Sequence, residues 1–78
     1  MLRSKIKEFS MIKLGKYRHF KGGEYELVSI AKNSETLEDM AVYRSLKDGV
    51  VWVRPLSMWE ERVEHEGKTV FRFTFIEE

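Results

Sequence analysis

Arginine residues stand beside aromatic residues at several positions of this 78-residue chain. A guanidinium group binds a carboxylate or phosphate through paired hydrogen bonds, and it also stacks on aromatic rings. Side chains two residues apart share one face of a strand, whereas adjacent ones lie on opposite faces. Trp52 and Arg54 therefore share a face. The pattern predicts a shallow site for an anionic or peptide ligand, and the candidate binding residues are Arg18, His19, Tyr43, Arg44, Trp52 and Arg54.

The dipeptide Asp48-Gly49 indicates a tight hairpin between two β-rich segments. Counting outwards from its centre places Arg44 nearly opposite Val53, with Arg54 adjacent. Two guanidinium groups this close repel each other, so they require either an internal carboxylate or an anionic ligand between them. Glu60 and Glu61 are the internal candidates.

The alternative interpretation of these residues is structural. Arginine stems often cover aromatic rings on the outside of small barrels, where the guanidinium meets a glutamate or a carbonyl group. His19 shares a strand face with Tyr17. A histidine in this position is more typically packed and hydrogen-bonded within the fold than involved in ligand binding.

Several kinds of chemistry lack the residues that they require. The chain has no cysteine and two histidines, so we expect no disulfide, metal site or cofactor. No serine or threonine stands in a nucleophile motif, no phosphate-binding loop is present, and the paired glutamates read as solvated surface. We therefore expect a non-enzymatic module without catalytic residues, and a small enzyme is the less favoured reading.

Fourteen basic and thirteen acidic residues give a formal net charge of +1. This balance provides no strong field for nucleic acid or for an anionic membrane. Single-stranded RNA binding, through aromatic stacking and arginine contacts, is the alternative function. No apolar run is long enough for a membrane span or a secretory signal, so we expect a cytoplasmic protein that does not bind membranes.

Residues 1–14 differ from the rest of the chain, since they carry a charge of +3 and a poor amphipathic pattern. We expect them to be a flexible basic segment. Residues 15–78 then form a single domain, because a chain of this size buries one core.

Short strands dominate the remaining pattern, with extended segments expected at residues 17–20, 24–31, 40–46, 50–54 and 70–76. In the second segment the apolar alternation changes phase, which indicates either a β-bulge or a bend at a barrel corner. The fourth segment is rich in β-branched residues, which favours a buried central strand. Ser57 and Glu60 fit a capping box, so a short helical turn is predicted at residues 57–62.

About five short strands and one helical turn predict a mainly β protein whose sheet curls on itself into a small barrel. Three phenylalanines alternate along the last strand and are expected to point inwards. The predicted core consists of Phe71, Phe73, Phe75, Val28, Ile30, Val42 and one side of residues 50–53.

Four ordered segments resemble the bacterial family named domain of unknown function 1653 (DUF1653), namely residues 17–22, 30–38, 42–44 and 52–58. The resemblance extends from about Gly15 to Ile76. It implies an SH3-type β-barrel and carries no assigned activity. The chain departs from the family pattern at Asn33, where a histidine is usual, and at Phe71, where a proline is common. The first departure argues against a proton-shuttling or metal-binding imidazole in that loop.

Overall fold

The computed structural model describes residues 12–77, in which seven strands and one short helix occur. Their order is β1 (Gly15–His19), β2 (Glu24–Lys32), β3 (Asp39–Ser45), β4 (Val51–Pro55), α1 (Leu56–Trp59), β5 (Arg62–His65), β6 (Lys68–Phe71) and β7 (Phe73–Glu77). The predicted mainly β class with one helical turn is confirmed. Most of the predicted basic segment, residues 1–11, lies outside the described residues.

Five of the strands form one antiparallel sheet in the order β4-β3-β2-β1-β7, and β5 pairs only with β6. In the described part of the chain, β4 and β7 are the two edges of the sheet, so the sheet does not close on itself. The predicted SH3-type barrel is therefore not confirmed. The register between β2 and β3 shifts between Leu27 and Ser29, which confirms the predicted bulge.

The core lies on one face of this sheet and is mainly aromatic. The buried apolar side chains are Tyr17, Leu27, Ala41, Tyr43, Trp59 and Phe73. Trp59 comes from α1, and its ring stacks on that of Phe73 with 3.7 Å between centroids and 7° between planes. The short helix thus covers the apolar face that the sequence analysis expected barrel closure to bury.

The prediction that residues 50–54 form a buried central strand, with one side of residues 50–53 in the core, is wrong. β4 pairs with β3 alone, and the exposed fractions of Val51, Trp52 and Val53 are 58%, 52% and 58%. β-branched residues favour a strand but do not say how many neighbours the strand has. Val28, beside the bulge, is also exposed, whereas Ile30 and Val42 are half-buried.

The predicted last strand is split by a bend at Arg72. The Arg72 N–H donates to the carbonyl of Glu61, and its carbonyl accepts from the N–H of Phe20. Because of this bend, Phe71 ends β6 on the surface with half of its side chain exposed, whereas Phe73 begins β7 in the core. The assignment of Phe73 to the core is confirmed, that of Phe71 is wrong, and Phe75 is half-buried against the core.

The predicted capping box does not form. α1 begins at Leu56 directly after Pro55, and no side chain caps its first turn. The fixed φ of Pro55, −56°, already suits a helix start. Ser57 therefore lies within the helix, and the N–H of Glu60 donates to the carbonyl of Leu56 instead of the Ser57 hydroxyl.

Candidate functional site

A cleft of about 350 Å³ lies beside the hairpin that joins β3 to β4. It contains three of the predicted binding residues and four others, since its lining consists of Tyr25, Tyr43, Ser45, Lys47, Asp48, Trp52 and Arg54. Tyr43 pairs with Trp52 across the two strands, so both belong to the face that carries the core. The cleft is therefore the rim of the aromatic core at the open edge of the sheet.

Arg54 is held in this cleft by aromatic side chains. Its Nε donates to the hydroxyl of Tyr43 at 3.0 Å, and its guanidinium carbon lies 5.7 Å and 5.5 Å from the ring centroids of Tyr43 and Phe73. Within residues 12–77, Arg54 forms no ion pair, and its two terminal nitrogens donate no hydrogen bond to another side chain. Four N–H donors thus remain for a ligand.

Trp52 and Lys47 form the exposed side of the cleft. Half of the Trp52 side chain is exposed, and Lys47 lies in the hairpin turn, where its N–H donates to Ser45 Oγ at 3.2 Å. Asp48 also lines the cleft, but its Oδ1 accepts from the N–H of Val50 at 3.0 Å. The cleft therefore carries two cations against one carboxylate. Sequence reasoning missed Lys47, although its place next to the predicted turn was a usable signal.

Arg44 does not belong to this cleft. The register places it opposite Val51, and Arg54 lies opposite Ala41. Arg44 occupies the other face of the sheet, where it pairs with Glu26. The expectation that Arg44 approaches Arg54 is therefore wrong.

Strand alternation alone separates the two arginines, because a residue paired with either Val51 or Val53 lies on the face opposite Arg54. The predicted register was also wrong. Five residues, 46–50, separate the two strands, and the carbonyl of Val50 accepts from the N–H of Ser45. Gly49 adopts a positive φ of 77°, and its N–H donates to the carbonyl of Ser45. A turn centred on Asp48-Gly49 would have shifted the pairing by two residues. Neither Glu60 nor Glu61, the internal carboxylates expected from the sequence, pairs with Arg54. Glu61 instead pairs with Arg72 at 2.9 Å.

Arg18 and His19 contribute to a second cleft, of about 320 Å³, lined also by Phe20, Gly22, His65, Val70, Phe71, Thr74 and Ile76. Arg18 is paired with Glu24 at 2.7 Å, and His19 Nδ1 accepts from the N–H of Lys21 at 3.1 Å. The pKa of His19 is lowered, mainly by burial and then by the positive charge of Arg72. Both residues thus already have partners within the fold.

The first cleft is lined by cationic, hydroxyl-bearing and aromatic side chains together with Asp48. Its lining residues include no histidine, and no group of three potential metal ligands occurs among residues 12–77. The described part also has no helix of the length and apolar character that a membrane crossing requires. Its chemistry consists of cationic N–H donors next to an accessible indole ring.

The fold and the cleft define a small, mainly β protein with an open five-stranded antiparallel sheet. The chain belongs to the family described as "Protein of unknown function (DUF1653)", whose model matches residues 15–75. A solved structure with the same fold is the crystal structure of a DUF1653 protein from Bordetella bronchiseptica. That chain is 31% identical and superposes with a TM-score of 0.79, over 86% of this chain and 90% of its own length. No curated protein matches this sequence.

Proposed function

We propose that this protein is a non-enzymatic binding module that holds a carboxylate-bearing ligand in the cleft beside the β3–β4 hairpin. Arg54 provides the principal anion-binding group, Lys47 adds a second positive charge, and Trp52 packs against the apolar part of the ligand. Tyr43 positions Arg54 through the hydrogen bond to Nε.

The observation that carries the proposal is the state of Arg54. Arg18, Arg44 and Arg72 each pair with a glutamate, whereas Arg54 has no carboxylate partner within residues 12–77. A half-buried guanidinium is stabilised by charge-assisted hydrogen bonds, and it binds carboxylates in a planar, bidentate geometry. Arg62 also lacks a carboxylate partner within these residues, but its side chain is exposed and lies over the ring of Phe71. Arg54 is therefore the half-buried arginine that a ligand carboxylate would complete.

The test is an NMR titration with the tripeptide acetyl-Glu-Glu-Glu-amide, with acetyl-Gln-Gln-Gln-amide as the uncharged reference. Only the acidic tripeptide is expected to move the indole N–H signal of Trp52. The indole signal of Trp59, which is buried in the core, serves as the internal reference. Absence of a Trp52 shift in the wild-type protein would overturn the proposal.

Three variants separate recognition from folding. Arg54→Gln is expected to abolish the response, and Arg44→Gln, on the opposite face, to leave it intact. Because Arg54 also contacts Tyr43 and Phe73, the thermal midpoint of the Arg54→Gln variant is measured in parallel. Lys47→Glu reverses a charge in the exposed turn without touching the core and is expected to weaken binding. A response that survives both Arg54→Gln and Lys47→Glu would show that the anion binds elsewhere.

An oligouridine titration tests the RNA alternative under the same conditions. The charges of residues 12–77 sum to zero, from 11 basic and 11 acidic residues. Phosphate recognition normally requires an excess of basic groups. A Trp52 shift with oligouridine but not with the acidic tripeptide would replace the proposed ligand class by single-stranded RNA.

A further inference from the structure

The edge strand β4 has a row of backbone groups without a neighbour in the described part of the chain. Its pairing partner is β3, and the Ser45 N–H donates to the Val50 carbonyl at the start of the ladder. In an antiparallel pair, residues whose N–H and C=O point towards the partner alternate with residues whose groups point away. The N–H and C=O groups of Val51 and Val53 therefore point away from β3.

The first part of this strand lacks the features that oppose the addition of another strand. Proteins commonly protect sheet edges with charged side chains, prolines or bulges. Residues 50–53 carry no charge and no proline, whereas Arg54 and Pro55 end the strand, and the register with β3 is regular from Val51 to Pro55. The side chains of residues 50–53 are all exposed.

The two faces of this edge differ in chemistry. Trp52 and Arg54 lie on the cleft side, next to Lys47. Val51 and Val53 lie on the opposite face, where Val53 pairs with the half-buried Val42. A strand added here would meet cations and an indole on one face and valines on the other.

We propose that an extended peptide segment adds to β4 as a sixth strand of the sheet, and that acidic residues alternate with β-branched apolar residues along it. The acidic side chains bind Arg54 and Lys47, the apolar ones pack on Val51 and Val53, and the backbone pairs with their free N–H and C=O groups. This mode is β-augmentation, in which main-chain hydrogen bonds give affinity and alternate side chains give specificity. The inference rests on the proposed function, because Arg54 supplies the anion site in both.

A second copy of the chain fits this edge less well than an acidic peptide does. In a β4–β4 pair, residues 51–55 of each copy would supply only arginine as a charged side chain. Arg54 would then still lack a carboxylate within the paired strands. Charge complementarity therefore favours an acidic peptide as the occupant.

The experiment uses the full chain and the peptide acetyl-Thr-Val-Glu-Val-Glu-Val-Thr-amide, with hydrogen exchange followed by NMR. Binding is expected to shift the Trp52 indole signal and to slow exchange of the Val51 and Val53 amides roughly tenfold or more, since exchange then requires peptide release. A second peptide, in which proline replaces the central valine, keeps both glutamates but lacks a strand donor. It is expected to bind roughly tenfold or more weakly and to leave the two amides unprotected.

A protein variant tests the same contact from the other side. Val51→Pro removes an N–H that does not pair with β3, and proline is tolerated at such edge positions. It is expected to abolish binding of the strand-forming peptide, while the response to acetyl-Glu-Glu-Glu-amide remains. Val51→Thr, which keeps the N–H, is the matched control and is expected to bind as the wild type does.

Each outcome decides between the two proposals. A Trp52 shift that depends on Arg54, without protection of Val51 and Val53, would overturn strand addition and leave the proposed function standing. No response to either the tripeptide or the longer peptide would overturn both. Protection of these amides in the free protein that increases with protein concentration would identify a second copy as the occupant and would overturn the peptide proposal.

Discussion

The two tryptophans of this protein lie in opposite environments. Trp59 is 2% exposed and stacks on Phe73, while Trp52 is 52% exposed at the edge of the sheet. Buried aromatic side chains provide much of the apolar stabilisation of a small core. An exposed indole beside Arg54 is instead available to a ligand. At the scale of single residues, burial thus distinguishes the core indole of Trp59 from the accessible indole of Trp52.

Phe73 contributes more to stability than Phe71, although the two lie two positions apart in the sequence. Phe73→Ala is expected to lower the free energy of unfolding by roughly 3–5 kcal/mol, because it leaves a cavity beside Trp59 and Tyr43. Chemical denaturation measures the loss. Phe71→Ala is the matched control and should cost less than about 1 kcal/mol at this half-exposed site. Equal losses in the two variants would contradict the assignment of the core.

His19 is expected to make stability depend on pH. Its pKa is lowered by burial and by the charges of Arg72, Arg54 and Lys21, so the unfolded chain takes up the proton first as the pH falls. The stability contribution of the neutral imidazole is therefore complete above the ordinary histidine pKa of about 6.5 and is lost as the pH decreases below it.

The measurement compares denaturation midpoints at pH 7.5 and pH 5.5 for the wild type and for His19→Asn. Asn offers an acceptor near the position of Nδ1, which accepts from the Lys21 N–H. The variant is expected to lose less stability between the two pH values than the wild type. An unchanged difference would assign the pH dependence to other groups.

At the scale of elements, α1 contributes to the fold mainly by delivering one side chain. The helix has four residues and no side-chain cap, so its own hydrogen bonds cannot stabilise it in isolation. Its buried residue is Trp59, which also contacts Tyr17 and Tyr43 through its ring. The sheet and the helix therefore depend on each other for stability.

Trp59→Ala is expected to destabilise the protein by roughly 3–5 kcal/mol and to loosen α1 at the same time. Thermal unfolding and the amide exchange of residues 56–60 measure the two effects. Ser57→Ala, in the same helix, is the control. It should change stability by less than about 0.5 kcal/mol, because Ser57 forms no capping hydrogen bond. A large loss of stability in Ser57→Ala would indicate that Ser57 caps the helix after all.

Local patterns in the sequence predicted where strands lie and which face of a strand each side chain occupies. They predicted less well which strands pair with each other. The phase change near Val28 predicted the bulge, and the spacing of Trp52 and Arg54 predicted their common face. These features depend on residues close in sequence, where the period of a strand determines orientation. The sequence pattern alone also selected three residues that line the cleft, namely Tyr43, Trp52 and Arg54.

The position of β4 in the sheet and its register could not be read in the same way. Residues 50–53 are compatible with a central or an edge strand, and a change of two residues in register preserves every side-chain face. The choice depends on the loop at Gly49 and on Trp59, which covers the core from a distant segment. The predicted turn centre lay one residue too late in the hairpin, which shifted the register by two residues but left Arg44 on the face opposite Arg54.

At the scale of the whole molecule, the chain entering β1 is attached to the core. Ile12 packs against the core cluster, and the carbonyl of Lys13 accepts from the buried Tyr17 hydroxyl at 2.6 Å. Lys13 Nζ also lies 5.4 Å from the centroid of the Phe75 ring. The family match begins at residue 15, so these contacts lie just before it.

Two deletions should therefore have different effects. Removal of residues 1–10, which lack apolar periodicity, is expected to cost less than about 1 kcal/mol and to leave the thermal midpoint within a few degrees. Removal of residues 1–14 takes away the Ile12 contact and the acceptor of the Tyr17 hydroxyl. An unsatisfied buried hydroxyl costs about 1–3 kcal/mol, and each kcal/mol lowers the midpoint by roughly 4–8 °C in a domain of this size. Calorimetry of both truncations measures the difference. If the shorter deletion lowers the midpoint as much as the longer one, residues 1–10 contribute to the fold, and the contacts of Ile12 and Lys13 do not by themselves attach the N-terminal segment.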